Sequence, residues 1–192
     1  AKRGTKLRTM EIRWHGRGGQ GVVTANEILA GAALEEGKYM KAFPEFGPER
    51  MGAPIRAFAR ISEEPIKVHS QVYFPDYVVV LDPTLIGNIN VLEGMKKEGA
   101  LVANYPDGRE SLRRALATDM DVHAVNASKI ALETIGKPLA NTAMLGALVK
   151  VSGVLNLESV KKELRNKMSG KLPEKVVEKN ILSVQRAYEE VD

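Results

Sequence analysis

Residues 11–30, EIRWHGRGGQGVVTANEILA, bring a short apolar run, a glycine-crowded loop and the start of an amphipathic helix into immediate succession. That order dictates a strand, a tight turn and a helix, and ties the chain to an α/β fold. Gly16, Gly18, Gly19 and Gly21 leave the turn free for positive φ and for close approach by another molecule. Arg17 and Gln20 are its only side chains. Where such a turn feeds a helix, the unpaired amides of the first helical turn and the positive end of the macrodipole face whatever occupies it, which suits an anion.

Gly16, Gly18 and Gly21 also satisfy G-x-G-x-x-G, the dinucleotide fingerprint, and the flanking strand and helix agree with it. The acid expected about 20 residues further on, at the end of a second strand, is poorly provided for. Residues 38–43 run into Pro44, Glu45 lies beyond that proline, and Glu35 and Glu36 sit in the preceding helix end. A plain NAD site is therefore disfavoured.

The helix after the loop carries a broad apolar face from Val22 to Leu34 and stops at Gly37. Residues 39–43 read as a short strand, and FPEFGPERMGAP at 43–54 as a long loop broken by proline and glycine. Residues 54–61 alternate as a half-buried strand does, with Ile55, Ala57, Ala59 and Ile61 on one side and Arg56, Phe58 and Arg60 on the other. After a turn at 63–65, residues 66–69 are expected to pair back and close an inserted hairpin. YVVVL at 77–81 has the continuous aliphatic character of a parallel strand covered on both faces.

Asp82-Pro83-Thr84 reads as a helix start capped by Asp82, in preference to a functional carboxylate. A short helix at 89–97, a strand at 101–104, a helix at 110–117, a strand at 122–125 and a helix at 127–135 continue the alternation. Asn141 and Thr142 are expected to cap a buried helix over 143–152, and Asn156 to begin another near 158–168. Pro173 opens a last helix whose stripe of Val177, Ile181, Val184 and Tyr188 must dock on its own domain or on a partner chain. The layout is α/β: a Rossmann-like, doubly wound, mostly parallel but mixed sheet with a hairpin insertion and a helical C-terminal end. Residues 11–192 read as one domain, and residues 1–10 as a basic, disordered tail with no assigned role.

Composition narrows the function. With 44% hydrophobic residues, 192 residues suffice for a substantial core. The net charge of +4 is scattered and makes no stripe for nucleic acid, and no apolar run approaches the ~20 residues that span a bilayer, so a cytoplasmic chain is expected. Cysteine is absent, which removes thiol nucleophiles and thiolate ligands for an iron–sulfur cluster. His15, His69 and His123 lack metal-ligand spacing, so neither a metal site nor a catalytic residue is assigned; His15 reads as a packed strand-end residue.

Three stretches together, HGRGGQGVVTA at 15–25, AFPEFGPERMGAPIRAFARIS at 42–62 and NTAMLGAL at 141–148, resemble the gamma subunit of the 2-oxoacid:ferredoxin oxidoreductases, closest to the pyruvate and ketoisovalerate group. The similarity extends from Glu11 to Glu190. It implies a multi-subunit enzyme that decarboxylates a 2-oxoacid on thiamine diphosphate with Mg²⁺, passes electrons through iron–sulfur clusters to ferredoxin and releases acyl-CoA. Alpha, beta and delta partner subunits would hold that machinery, and this chain would not act alone. The glycine loop (Gly16, Arg17, Gly18, Gly19, Gln20, Gly21) and the facing Glu49 and Arg50 are then candidates for a CoA-facing site. The alternatives are a glycine turn packed on a neighbouring subunit in a purely structural scaffold, and a free-standing Rossmann-type nucleotide-binding protein.

Overall fold

A computed structural model describes residues 9–45 and 50–192. The strands are β1 (Met10–Arg17), β2 (Tyr39–Pro44), β3 (Pro54–Ser62), β4 (Tyr77–Val80), β5 (Ala100–Asn104) and β6 (Asp121–Val125). The helices are α1 (Val22–Glu35), α2 (Gly108–Leu116), α3 (Ala127–Thr134), α4 (Asn141–Ser152), α5 (Leu157–Met168) and α6 (Glu174–Glu190). One sheet runs in the order β2-β3-β1-β4-β5-β6. β1, β4, β5 and β6 are parallel, while β3 is antiparallel to both β1 and β2.

The chain leaves β1 in one direction through α1 and leaves β4 in the other, so right-handed crossovers place their covers on opposite faces. On the first face Ile12, Trp14, Ala57, Ala59, Ile61, Val79 and Val102 pack with α1, α4 and α6 in the larger core. On the second, Val78, Val80, Leu101, Ala103, Val122 and Ala124 pack under Leu85 and Leu112.

The mixed α/β architecture agrees with the sequence pattern, but the inserted hairpin is different. Residues 66–69 form no strand. β3 has no free edge to offer them, because β2 occupies one side and β1 the other. The hairpin is β2–β3, and it drives an extra strand between β1 and β2. β3 is also interior rather than half-exposed, with every residue from Ala57 to Ser62 buried. The expected helix at 89–97 is a series of turns instead. Gly94 has φ +70° and lies against the Tyr73 carbonyl, so helical geometry ends there, although Val91 and Met95 still reach the core.

Asn141 and Thr142 do not cap α4. Ala140 holds the N-cap position, and both polar residues are buried in the first turn, where Thr142 Oγ1 donates to Asn180 Oδ1 at 3.3 Å. The α6 stripe docks within the chain, with Val177 and Val184 fully buried. Gly146 of α4 lies against the Val184 carbonyl, which lets the two helices cross at backbone distance. Among the described residues no helix is long and apolar enough to cross a membrane.

Candidate functional site

β1 ends at Arg17, and the chain turns through Gly18–Gly21 into α1, whose N-cap is Gly21 at φ 78° with no capping side chain. Gly18 N donates to Ala53 O at 2.9 Å, and Gly52 N donates to Gly18 O at 3.1 Å, so the β2–β3 loop is laced to the glycine turn. An added Cβ at Gly18 would strike the Arg50 carbonyl oxygen, and one at Gly21 would strike the Asn141 side chain. Close approach here is therefore satisfied within the chain. The three stretches that carry the family resemblance are far apart in sequence and meet around these two glycines.

A cleft of about 350 Å³ opens between the turn and this loop, lined by Gly18, Gly19, Gly21, Thr24, Arg50 and Met51, with Val22, Val23 and Ile55. The first-turn amides of α1 face it without a side-chain cap, which makes it receptive to negative charge. Arg50 is exposed; its carbonyl oxygen accepts from Ala53 N at 3.0 Å, while its side chain makes no hydrogen bond or ion pair among the described residues.

Gly16, Arg17 and Gln20 are turned elsewhere. Gln20 folds back so that its Oε1 accepts from Arg17 N at 2.7 Å, while its Nε2 donates to Asp82 Oδ2 at 2.6 Å. The Arg17 guanidinium lies 3.2 Å from the same Asp82 oxygen, and donates to Thr84 Oγ1 at 3.0 Å and Gly52 O at 3.1 Å. Thr84 donates to Asp82 Oδ1 from its amide and its hydroxyl, at 2.8 and 2.7 Å. Burial opposes ionisation of Asp82, but Thr84, Gln20 and the Arg17 charge outweigh it and hold the carboxyl below its usual range.

Asp82 is thus the helix cap the sequence suggests and also a brace. It ties the end of β4 to the glycine turn, across the crevice where open α/β sheets most often receive ligands. A smaller hollow of about 180 Å³ remains beside it, between Gln20, Asp82, Asn104 and Ser128. Of the sequence-derived site residues, the structure brings Gly18, Gly19, Gly21 and Arg50 to one cleft and points Arg17 and Gln20 away from it. Glu49 lies outside the described residues. Sequence reasoning missed Met51, which is 87% exposed at the rim.

His15 is packed as expected. Burial, reinforced by the Arg13 and Arg56 charges, pushes it down to about 3, so it stays neutral and accepts from Arg13 Nε at 2.9 Å.

The free-standing dinucleotide reading gains no support from this geometry. β3 separates β2 from β1, so the end of the second strand stands about 10 Å from the glycine turn, two strand spacings instead of one.

Comparison with known proteins bears on the whole chain. The family described as pyruvate ferredoxin/flavodoxin oxidoreductase matches residues 11–190. The gamma subunit common to the pyruvate and ketoisovalerate oxidoreductases of Pyrococcus abyssi is 47% identical over 181 residues, covering 94% of this chain and 96% of that protein. Pyruvate synthase subunit PorC of Methanothermobacter thermautotrophicus is 47% identical over 183 residues, covering 95% and 96%. The crystal structure of pyruvate oxidoreductase subunit PORC from Thermotoga maritima superposes with a TM-score of 0.85 at 42% identity, covering 96% of this chain and 98% of that one. End-to-end similarity on this scale, on the same fold, leaves one assignment: the chain belongs to the pyruvate ferredoxin/flavodoxin oxidoreductase family, as a gamma subunit of its multi-subunit enzymes.

Proposed function

We propose that this chain serves a pyruvate:ferredoxin oxidoreductase of the CoA-acylating type and turns its glycine-loop cleft toward CoA. Alpha, beta and delta subunits would hold thiamine diphosphate, Mg²⁺ and the iron–sulfur clusters, and pass electrons to ferredoxin. The donor set here does not suit those groups. The chain has no cysteine, and among the described residues no three carboxylates or histidines gather as metal ligands. No step through them is assigned to this polypeptide, and residues 11–192 are taken as one supporting domain.

The observation that carries the CoA assignment is the pairing of uncapped first-turn amides with a guanidinium that no other described residue engages at one cleft. Amides at Val22–Thr24 and the Arg50 fork match the oxygens of a diphosphate, and the Thr24 hydroxyl adds a further donor. Arg17 supports this at one remove, by holding the turn against Asp82.

Gly18 and Gly21 are already required by close contacts within the chain, with or without a ligand. That point favours the scaffold reading as the competitor. Calorimetric titration of CoA into the assembled enzyme separates the two. Arg50→Ala and Thr24→Val together should weaken CoA about tenfold or more, the scale of a lost charge-assisted hydrogen bond. Unchanged affinity in the double variant would leave the subunit as a scaffold.

A further inference from the structure

On the second face of the sheet, the segment between β3 and β4 passes over β1 and β3, and it encloses a hollow of about 470 Å³ floored by Arg13 and Arg56 and walled by Glu93, Tyr73 and Phe74. Arg13 is only 2% exposed, yet its partners are neutral: the His15 ring at 2.9 Å and the Val91 carbonyl oxygen at 3.1 Å. His15 Nδ1, close by, is buried with no hydrogen-bond partner among the described residues. Among the described residues no carboxylate lies within ion-pair distance of Arg13. Arg56 is already committed to Glu45, through both its Nε and a terminal nitrogen. Glu93 acts on both guanidiniums only from a distance. Burial, and then the Arg56 charge, bring Arg13 down to about 10, the signature of an under-compensated buried cation.

Above this hollow Tyr73 and Phe74 project at 61% and 65% exposure, and they also wall a second hollow of about 530 Å³ that continues to Ile66 and to Val68, itself 52% exposed. An aromatic ridge between two hollows, with a guanidinium that no described carboxylate contacts at the base of one, has the composition of an interface centre. We propose that this ridge and the Arg13 hollow seat a carboxylate-bearing loop from another subunit of the oxidoreductase, the acid pairing with Arg13 and apolar side chains packing on Tyr73 and Phe74. The ridge stands just before the amino end of β4, and no residue lining this hollow also lines the glycine-turn cleft. It rests on the reading of this chain as one part of a larger complex and does not depend on CoA.

Hydrogen exchange of the full chain, free and in the assembled enzyme, together with assembly of variants, tests the proposal. Residues 71–76 should gain protection on assembly. Tyr73→Ser/Phe74→Ser and Arg13→Met should each loosen the complex about tenfold or more on dilution, as truncated central aromatics and arginines do. Melting of the isolated variants checks that they fold, and the exchange measurement on the natural chain decides the matter if they do not. An assembled complex with 71–76 unprotected, or with the ridge variant bound as tightly as the natural chain, would overturn the inference and leave complex membership intact. Failure of the natural chain to assemble at all would instead remove the premise. Succinate, titrated into the free chain, distinguishes a small-molecule site: saturable, Arg13-dependent stabilisation with normal assembly of the ridge variant would replace the docking surface with a metabolite pocket.

Discussion

Over β4, β5 and β6 the second face of the sheet presents Val78, Val80, Leu101, Ala103, Val122 and Ala124, sealed by Leu85 and Leu112, while over β1 and β3 the same face presents Arg13, His15, Arg56, Phe58 and Arg60. Topology accounts for the difference. Each parallel crossover must return across the sheet and brings its own cover, so β4–β5–β6 acquires turns and α2 as it is built. β3 reaches its place through an antiparallel hairpin, which needs no crossover. Among the described residues its cover is the 63–76 segment, with Glu93 and Gly94 beside it. Polar groups persist beneath that thin cover because its carbonyls answer them: Arg60 donates to Ser70 O at 2.6 Å and Gln71 O at 3.0 Å, and pairs with Glu11 at 2.9 Å. One half of the face is finished as a core, and the other keeps charge at Arg13 that no carboxylate among the described residues contacts.

Substitutions can break this contrast. Leu101→Ala, in the sealed half, should cost about 2–5 kcal/mol, read from urea unfolding, because the fully buried site cannot collapse around the lost methyls. A cost below about 1 kcal/mol would mean that the apolar half is no tighter than its neighbour.

The polar half should betray itself through pH. The folded chain keeps His15 neutral down to about 3, whereas an unfolded chain protonates it near its ordinary 6.5. The unfolded state then binds the extra proton, so the stability held by neutral His15 is complete above about 6.5 and drains as pH falls toward about 3. The slope should reach about 1.4 kcal/mol per pH unit at most. His15→Gln should flatten that part of the curve, and an unchanged curve would show that the imidazole is not held neutral.

The smallest effect is expected at Arg13. Arg13→Met exchanges a buried, under-compensated cation for an apolar chain of similar length, and the stability of the isolated protein should stay within about 1 kcal/mol of the original or rise. A loss of several kcal/mol would mean that Arg13 holds the fold together and is not reserved for a partner.

Much of the framework is legible in the residues themselves. Local signals such as the 3.6-residue stripe of α6, the YVVVL run of β4 and the stops at Gly37 and Gly136 act over a few neighbours, and they fall where the elements do. The candidate cleft is only partly legible. Glycine content marked the turn and Arg50 faced it as expected, but nothing local shows that Gln20 and Arg17 turn to Asp82, more than sixty residues away.

By itself, then, the sequence determined the alternation of strands and helices, the absence of thiol chemistry and the family, because periodicity, composition and motif are properties of the chain as written. Tertiary structure alone decided that β3 stands between β1 and β2, that Asp82 braces the turn, and that Arg13 is buried with no carboxylate among the described residues in contact. Each of these depends on which distant segments share an edge or a face, and that choice is made by the burial of the whole sheet, beyond the reach of any short stretch of residues.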